Sequence, residues 1–396
     1  MNKRVAVNIG KTTKEYEVIK EPTPHILVNT NKELHGWPNK HRECTAERFL
    51  LNPYNGCSTD CFFCYTKGYD WGYFKLFAKE RVVTVFKDFD HKVASQLDKL
   101  KIASCGYLSP VSDPFSKLNN KYRLSEKIIK EFVDRNIPIE FITKEIVSQE
   151  VIEFLKSQKH SFGQVSILTL DESLRKKLMG EGATTEQLFG NLRRMSKNKI
   201  FAVCRIDPIL PYINDQKEKL KEVIKRAKDE GISHVVASCL DIPKAAYNQI
   251  MNYVKNIGLS IYYDYKKLYT EIIVNNFNAE INYRKRLFCF LRETCDKYNL
   301  SFALCMEFEL NKEKVVGLNR EFMSSENCEG INIPIYIKKG SKFEPATDCL
   351  GNCLNCKKIK CGIIELSKGN FKEEKRWRLS DYRRWSENIN ENYHLL

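Results

Sequence analysis

Asn52-Pro53-Tyr54-Asn55-Gly56-Cys57-Ser58-Thr59-Asp60-Cys61-Phe62-Phe63-Cys64-Tyr65 is the stretch on which the reading of this chain turns. Its three cysteines follow a short β-rich run, Arg48–Pro53, at C-x-x-x-C-x-x-C spacing. Three thiolates that close hold three irons of a [4Fe–4S] cube and leave the fourth iron without a protein ligand. Gly56 permits a tight turn before the first ligand. The bland readings are a zinc site or three incidental core thiols. Structural zinc asks for four ligands, and no fourth Cys or His lies nearby in sequence.

Working outward, apolar β-rich runs alternate with amphipathic helical runs from about residue 48. The predicted strands are Arg48–Pro53, Ile102–Leu108, Pro138–Thr143, Gly163–Leu168, Ile200–Ile206 and His234–Ser238. The predicted helices are Asp90–Leu100, Ser125–Arg135, Ser148–Ser157, Thr185–Ser196, Gln216–Glu230 and Pro243–Ile257. Six βα units of this kind imply parallel strands with right-handed crossovers. The expected fold is α/β: a partial (β/α)6 TIM-like barrel with a small C-terminal cysteine-rich α+β module. The expected divisions are an N-terminal extension (1–45), a core barrel (46–258), an α+β region (259–345) and a cysteine module with a basic aromatic tail (346–396). Active sites in such barrels lie at the C-terminal ends of strands, where the cysteine loop falls.

The chain has 396 residues and 15 cysteines, with a formal net charge of +15. No apolar run is long enough to span a bilayer. Met1–Gly10 is charged and shows no signal-peptide pattern, so the expected location is cytoplasmic. Thiols there stay reduced, which turns clustered cysteines toward metal binding rather than disulfides. Seven of the 15 cysteines lie in two clusters. Of the scattered eight (Cys44, Cys105, Cys204, Cys239, Cys289, Cys295, Cys305, Cys328), most are expected as small core residues. The positive charge favours a polyanionic partner such as nucleic acid. Compositional bias toward Lys accounts for it equally well.

At the cysteine loop the sequence resembles the radical S-adenosylmethionine (SAM) superfamily, and more closely the spore photoproduct lyase or DNA repair photolyase family. Asn52-Pro53-Tyr54 with Gly56 matches the family's lead-in. Ser112-Asp113-Pro114-Phe115, Ile142-Thr143-Lys144, Val165-Ser166-Ile167, Thr169-Leu170-Asp171 and Asp207-Pro208-Ile209-Leu210-Pro211 with Ile213-Asn214-Asp215 resemble its later motifs. The resemblance implies that Cys57, Cys61 and Cys64 hold the cluster. Its open iron then grips SAM, and reductive cleavage gives a 5′-deoxyadenosyl radical that abstracts hydrogen from substrate. It also implies SAM contacts for Ser112, Lys144 and Ser166, with Phe63 as an apolar face for adenine. Arg205 is a further candidate for the cofactor carboxylate. A flavodoxin or ferredoxin is the expected reductant. Each polar residue has a plainer role available as a turn former or helix cap, and Asp113 before Pro114 fits a turn best. In spore photoproduct lyases a hydrogen-donating cysteine precedes the motif serine by two residues. Here Pro110 holds that place, which puts thymine-dimer reversal in doubt. Tyr65 is a candidate hydrogen relay, or a packed core residue.

The second cluster, Cys349, Cys353, Cys356 and Cys361, spans 13 residues. Four thiolates at that spacing complete an auxiliary [4Fe–4S] cluster or bind zinc. Asn352, Asn355 and Lys357 are candidate hydrogen-bond donors to the sulfurs. The tail interleaves Lys372, Lys375, Arg376, Arg378, Arg383 and Arg384 with Trp377, Tyr382 and Trp385. That pattern suits nucleic-acid binding, or a helix docking its aromatic face on the domain. Three functions compete: a radical SAM enzyme acting on nucleic acid, one modifying a peptide or small metabolite, and a non-enzymatic zinc-stabilised nucleic-acid-binding protein.

Overall fold

A computed structural model describes residues 3–37, 43–44, 46–353, 356, 361, 363, 366 and 376–384. Seven parallel strands form the central sheet: β1 (Arg48–Leu51), β2 (Cys105–Leu108), β3 (Ile139–Thr143), β4 (Phe162–Ser166), β5 (Ala202–Ile209), β6 (His234–Cys239) and β7 (Ser301–Leu304). They lie side by side in sequence order. Crossover helices cover the outer face, so the strands are buried on both sides. All six residues of β6 are buried, as are all five of β4. That explains why they read as continuous apolar runs rather than alternating ones.

The crossover helices are α1 (Phe89–Leu97), α2 (Leu124–Asp134), α3 (Gln149–Lys156), α4 (Thr185–Lys197) and α5 (Lys217–Asp229). Local chemistry sets their starts. Thr184 Oγ1 accepts from Gln187 N while Gln187 Oε1 accepts from Thr184 N, a capping box that opens α4. Ser148 caps α3 in the simpler way. Three more helices, Tyr247–Ile257, Leu259–Leu268 and Ile281–Lys297, intervene before β7.

The six strands expected from the sequence are all present. The seventh comes from the region placed outside the barrel. It has four residues, Ser-Phe-Ala-Leu, and follows a long helical insertion, so it carries no readable period. Its edge is made by pairing Ala237 with Leu304.

The N-terminal segment packs on the turn that leads into the cysteine loop. His25–Asn29 runs parallel to Val83–Lys87, which pairs antiparallel with Tyr54–Asn55. Beyond β7 the chain returns to the N-terminal end of the sheet. There Tyr336–Lys339 pairs with Ile102–Ala103 and with Lys342–Pro345. The described part of the tail docks: Tyr382 is fully buried, its ring 4.5 Å from Phe49 and its hydroxyl 2.7 Å from Glu47 Oε1. Trp377 packs edge-on against it. Lys372, Lys375 and Trp385 lie outside the described residues.

A buried charge ties these parts together. Arg48, 1% exposed, donates from Nε to Glu140 Oε1 on β3 at 2.9 Å and from Nη2 to Glu329. A guanidinium out of water is tolerable only with such partners. Burial and Glu329 hold the Glu140 carboxyl well above its usual range, against the pull of Arg48. Arg48→Ala strands two facing carboxyls and should cost about 3–5 kcal/mol in urea unfolding. The Glu140 carboxyl ionises normally once unfolded, so the variant's stability falls as pH rises above about 4.3. The deficit should therefore be larger at pH 8 than at pH 5. Equal deficits at the two pH values would refute this account.

Candidate active site

The cysteine loop leaves the C-terminal end of β1. Gly56 has φ +88°, and a Cβ there would lie 2.4 Å from Phe77 Cδ2, so only glycine fits. The loop closes on itself through Cys64 N to Cys61 O at 3.2 Å and Lys67 N to Cys64 O at 3.1 Å. Lys67 Nζ adds a hydrogen bond to Cys61 O at 2.6 Å and an ion pair with Asp60 at 3.0 Å. Burial pushes the thiols of Cys57 and Cys61 up, that of Cys61 to about 12, and each is raised further by the neighbouring sulfurs. Lys144 and Lys67 pull Cys61 the other way. Thiols held up in this way, as Cys57 and Cys61 are, do not ionise unaided; a cationic iron centre reverses that balance. A cube that leaves one iron open asks for three thiolates, whereas structural zinc asks for four ligands. The donor set therefore fits an iron–sulfur cluster.

The strand ends beside the loop carry the polar residues that the sequence singled out. Asp113 is a turn anchor: Oδ1 accepts from Phe115 N and from Thr143 Oγ1, both at 2.9 Å, and Oδ2 from Lys144 N at 2.7 Å. It thereby fixes where Lys144 leaves β3. Lys144 Nζ donates to Ser166 Oγ at the end of β4, 3.3 Å away. Lys144 and Ser166 thus meet one another, with Lys144 within electrostatic reach of Cys61. Ser112 Oγ donates to Tyr54 O at 3.1 Å. Phe63 is 6% exposed and edge-on to Phe62, which stacks on Tyr253. Asp171 of the fourth-strand motif caps the helix Glu172–Met179.

Arg205 is 5% exposed and already engaged. Its Nε donates to Asp207 Oδ2 at 3.1 Å and Nη1 to Gln164 Oε1 at 2.9 Å. Ser238 Oγ donates to the other oxygen of Asp207. Tyr65 is 40% exposed, and its hydroxyl donates to Pro110 O at 2.6 Å. It is a rim residue rather than a core one, and it reaches the very position where the expected cysteine is replaced. Cys105 is buried at the other end of β2, beside Arg48.

The second cysteine group assembles elsewhere. Cys349 and Cys361 hydrogen-bond one another, and Cys349 Sγ accepts from Ile335 N at 3.4 Å. Burial pushes the Cys353 thiol up to about 12, in the fields of Glu47, Cys349 and Arg48. Glu47 and Arg48 open β1, so this group lies at the opposite end of the sheet from Cys57. Asn352 Nδ2 donates to Glu326 O at 2.6 Å. Asn355 and Lys357 lie outside the described residues. Sequence reasoning missed a third meeting of thiols: Cys44 and Cys328 hydrogen-bond, within electrostatic reach of Cys305. Their spacing of hundreds of positions gave no signal.

Residues 51–226 match the radical SAM superfamily model. The chain is 22% identical, over 84% of its length and 72% of the relative, to a radical SAM Nalpha-GlyT isomerase of Pseudomonas phage M6. It is 24% identical to an uncharacterised protein of Methanocaldococcus jannaschii, over 42% of this chain and 62% of that one. Among solved structures, spore photoproduct lyase complexed with dinucleoside spore photoproduct superposes with a TM-score of 0.54 at 12% identity, covering 71% of this chain and 81% of the other. A mutant of that enzyme with bound AdoMet and dinucleoside spore photoproduct gives 0.53 at 12% identity, covering 72% and 82%. No helix among the described residues is long and apolar enough to cross a membrane. The loop chemistry and the domain match agree: residues 51–226 form a radical SAM domain, and the chain is an enzyme with the fold of spore photoproduct lyase.

Proposed function

We propose that the enzyme takes a hydrogen atom from a nucleic-acid substrate held at the C-terminal mouth of its sheet. The observation that carries this reading is one shared mouth. Lys144, hydrogen-bonded to Ser166, lies within electrostatic reach of Cys61, and Tyr65, next to Cys64, reaches Pro110 O. Cys57, Cys61 and Cys64 would hold the cluster. Lys144 and Ser166 would hold the amino-acid end of SAM, with Ser112 nearby and Phe63 behind the adenine. Once bound, the pair supplies one-electron cleavage of the sulfonium, fed by a flavodoxin or ferredoxin. Arg205, fixed by Asp207 and Gln164, lends positive charge near the reacting centre.

The choice of nucleic acid rests on three points. Tyr65 stands edge-on to Tyr69 and Tyr69 lies tilted against Trp71, with ring centroids 5.8 Å and 5.5 Å apart. Trp71 is 60% exposed, which suits stacking on a base. The net charge of +15 suits phosphates. The spore photoproduct lyase structures hold a dinucleoside photoproduct, and the phage relative is named for isomerising Nalpha-GlyT. The zinc-protein reading gives way to the superfamily domain.

The four C-terminal cysteines would hold a second [4Fe–4S] cluster. Their place behind the sheet separates it from a substrate at the mouth, which leaves stapling of the module or electron delivery as its role.

Anaerobic reconstitution should load about eight irons per chain, four per cluster. Cys57→Ala should lose about half of that iron and release no 5′-deoxyadenosine with dithionite and SAM. Cys353→Ala should lose a similar amount yet still cleave SAM. Zinc in place of iron, or full SAM cleavage by the Cys57 variant, would sink the assignment. Binding of single-stranded DNA should weaken steeply with salt. Trp71→Ala should weaken it by about 1–3 kcal/mol, read by fluorescence anisotropy. Salt-independent binding, or none, would turn the search toward peptides and small metabolites.

A further inference from the structure

The mouth contains a thiol to which neither cysteine cluster lays claim. Leu304 ends β7 opposite Ala237, and the next residue, Cys305, donates its N–H to Ala237 O at 2.9 Å. That places Cys305 beside Ser238, whose hydroxyl donates to Asp207. Asp207 in turn holds Arg205, and the Arg205 guanidinium hydrogen-bonds the Cys305 side chain. The Tyr65 hydroxyl lies within electrostatic reach of the same thiol. Met306, at φ +55° and 44% exposed, turns the chain out of the sheet there. Cys305 is therefore half-buried, at the inner lip of the mouth. Cys105, Cys204, Cys239 and Cys295 are buried in the fold, and the Cys44 and Cys328 side chains hydrogen-bond each other.

We propose that Cys305 is the hydrogen-atom donor of this site, returning hydrogen to a carbon radical formed at the mouth. The proposal rests on the radical reading above and adds the group that ends the radical's life. In the step, the S–H bond breaks and a C–H bond forms. One hydrogen atom moves, the unpaired electron passes to sulfur, and no ion is released. The thiol is restored by one electron from the one-electron reductant that the cluster already requires and one proton from solvent. The chemistry suits sulfur, because an S–H bond is weaker than the C–H bond formed. A hydrogen-atom donor must also carry its proton. Burial pushes this thiol up to about 12, with Arg205 opposing, so it stays protonated at neutral pH. Pro110, by contrast, presents only a carbonyl, which Tyr65 occupies.

The test needs no identified substrate. Thiol hydrogens exchange with water, so in deuterium oxide Cys305 carries deuterium. Reconstituted protein, SAM and dithionite without substrate should release 5′-deoxyadenosine bearing one solvent-derived deuterium at its methyl group. In Cys305→Ala and Cys305→Ser the fraction of released 5′-deoxyadenosine that carries the label should fall at least several-fold, since a hydroxyl hydrogen is too strongly bound to replace it. Cys328→Ala should keep the label. Label unchanged in both Cys305 variants would overturn the proposal. Absence of any 5′-deoxyadenosine from the unsubstituted protein would instead bring down the radical reading itself, and this inference with it.

Discussion

The guanidinium of Arg48 has no water to turn to, and everything around it is arranged accordingly. It is the first residue of β1, the strand that launches the cysteine loop. Glu140 takes its Nε, and the other Glu140 oxygen accepts from Gln164 Nε2 at 2.7 Å. Gln164 passes the line to Arg205, Arg205 to Asp207, and Asp207 to Ser238. One unbroken polar chain thus crosses the inner face of the sheet from β1 to β6. In a low-dielectric interior such a chain is costly if any member is left unsatisfied. Its completeness fixes the relative heights of five strands, and with them the heights of the strand ends where the site assembles.

Glu329 closes the chain at its other end. It belongs to the segment that returns beneath the sheet after β7. The same segment lays Cys328 O against His234 Nε2 at 3.1 Å and leads on to the Cys349 group. The two ends of the sheet consequently divide the work. The N-terminal end holds packing, buried charge and the docked tail. The C-terminal end holds thiols, Lys144, Ser166 and Tyr65. This is the division that parallel α/β barrels impose, because crossover loops at the strand C-termini are free to vary without disturbing the core.

Much of this was legible in the chain itself. The loop of Cys57, Cys61 and Cys64 was legible because its thiols are local: three within eight residues cannot avoid one another. Gly56 and Asp113 announced turns for the same reason. The six βα periods survived because buried parallel strands are written as apolar runs. The docking of Trp377 and Tyr382 was one of two readings that their spacing allowed, and burial of Tyr382 against Phe49 selected it.

What the sequence determined alone, then, were features whose parts are neighbours along the chain: the cysteine loop, the turns at Gly56 and Asp113, and the strand periods. The tertiary structure decided whatever needed distant residues to share one volume. It brought a four-residue β7 to the sheet edge from beyond a helical insertion. It joined Arg48 to Glu329 across 281 positions, set the second cysteine group behind the sheet rather than at its mouth, and carried Cys305 to Arg205. Local order is written in residue spacing, because the chain's own geometry enforces it. Long-range pairing is chosen only when burial makes an unpaired charge or thiol intolerable, and no spacing rule records that choice.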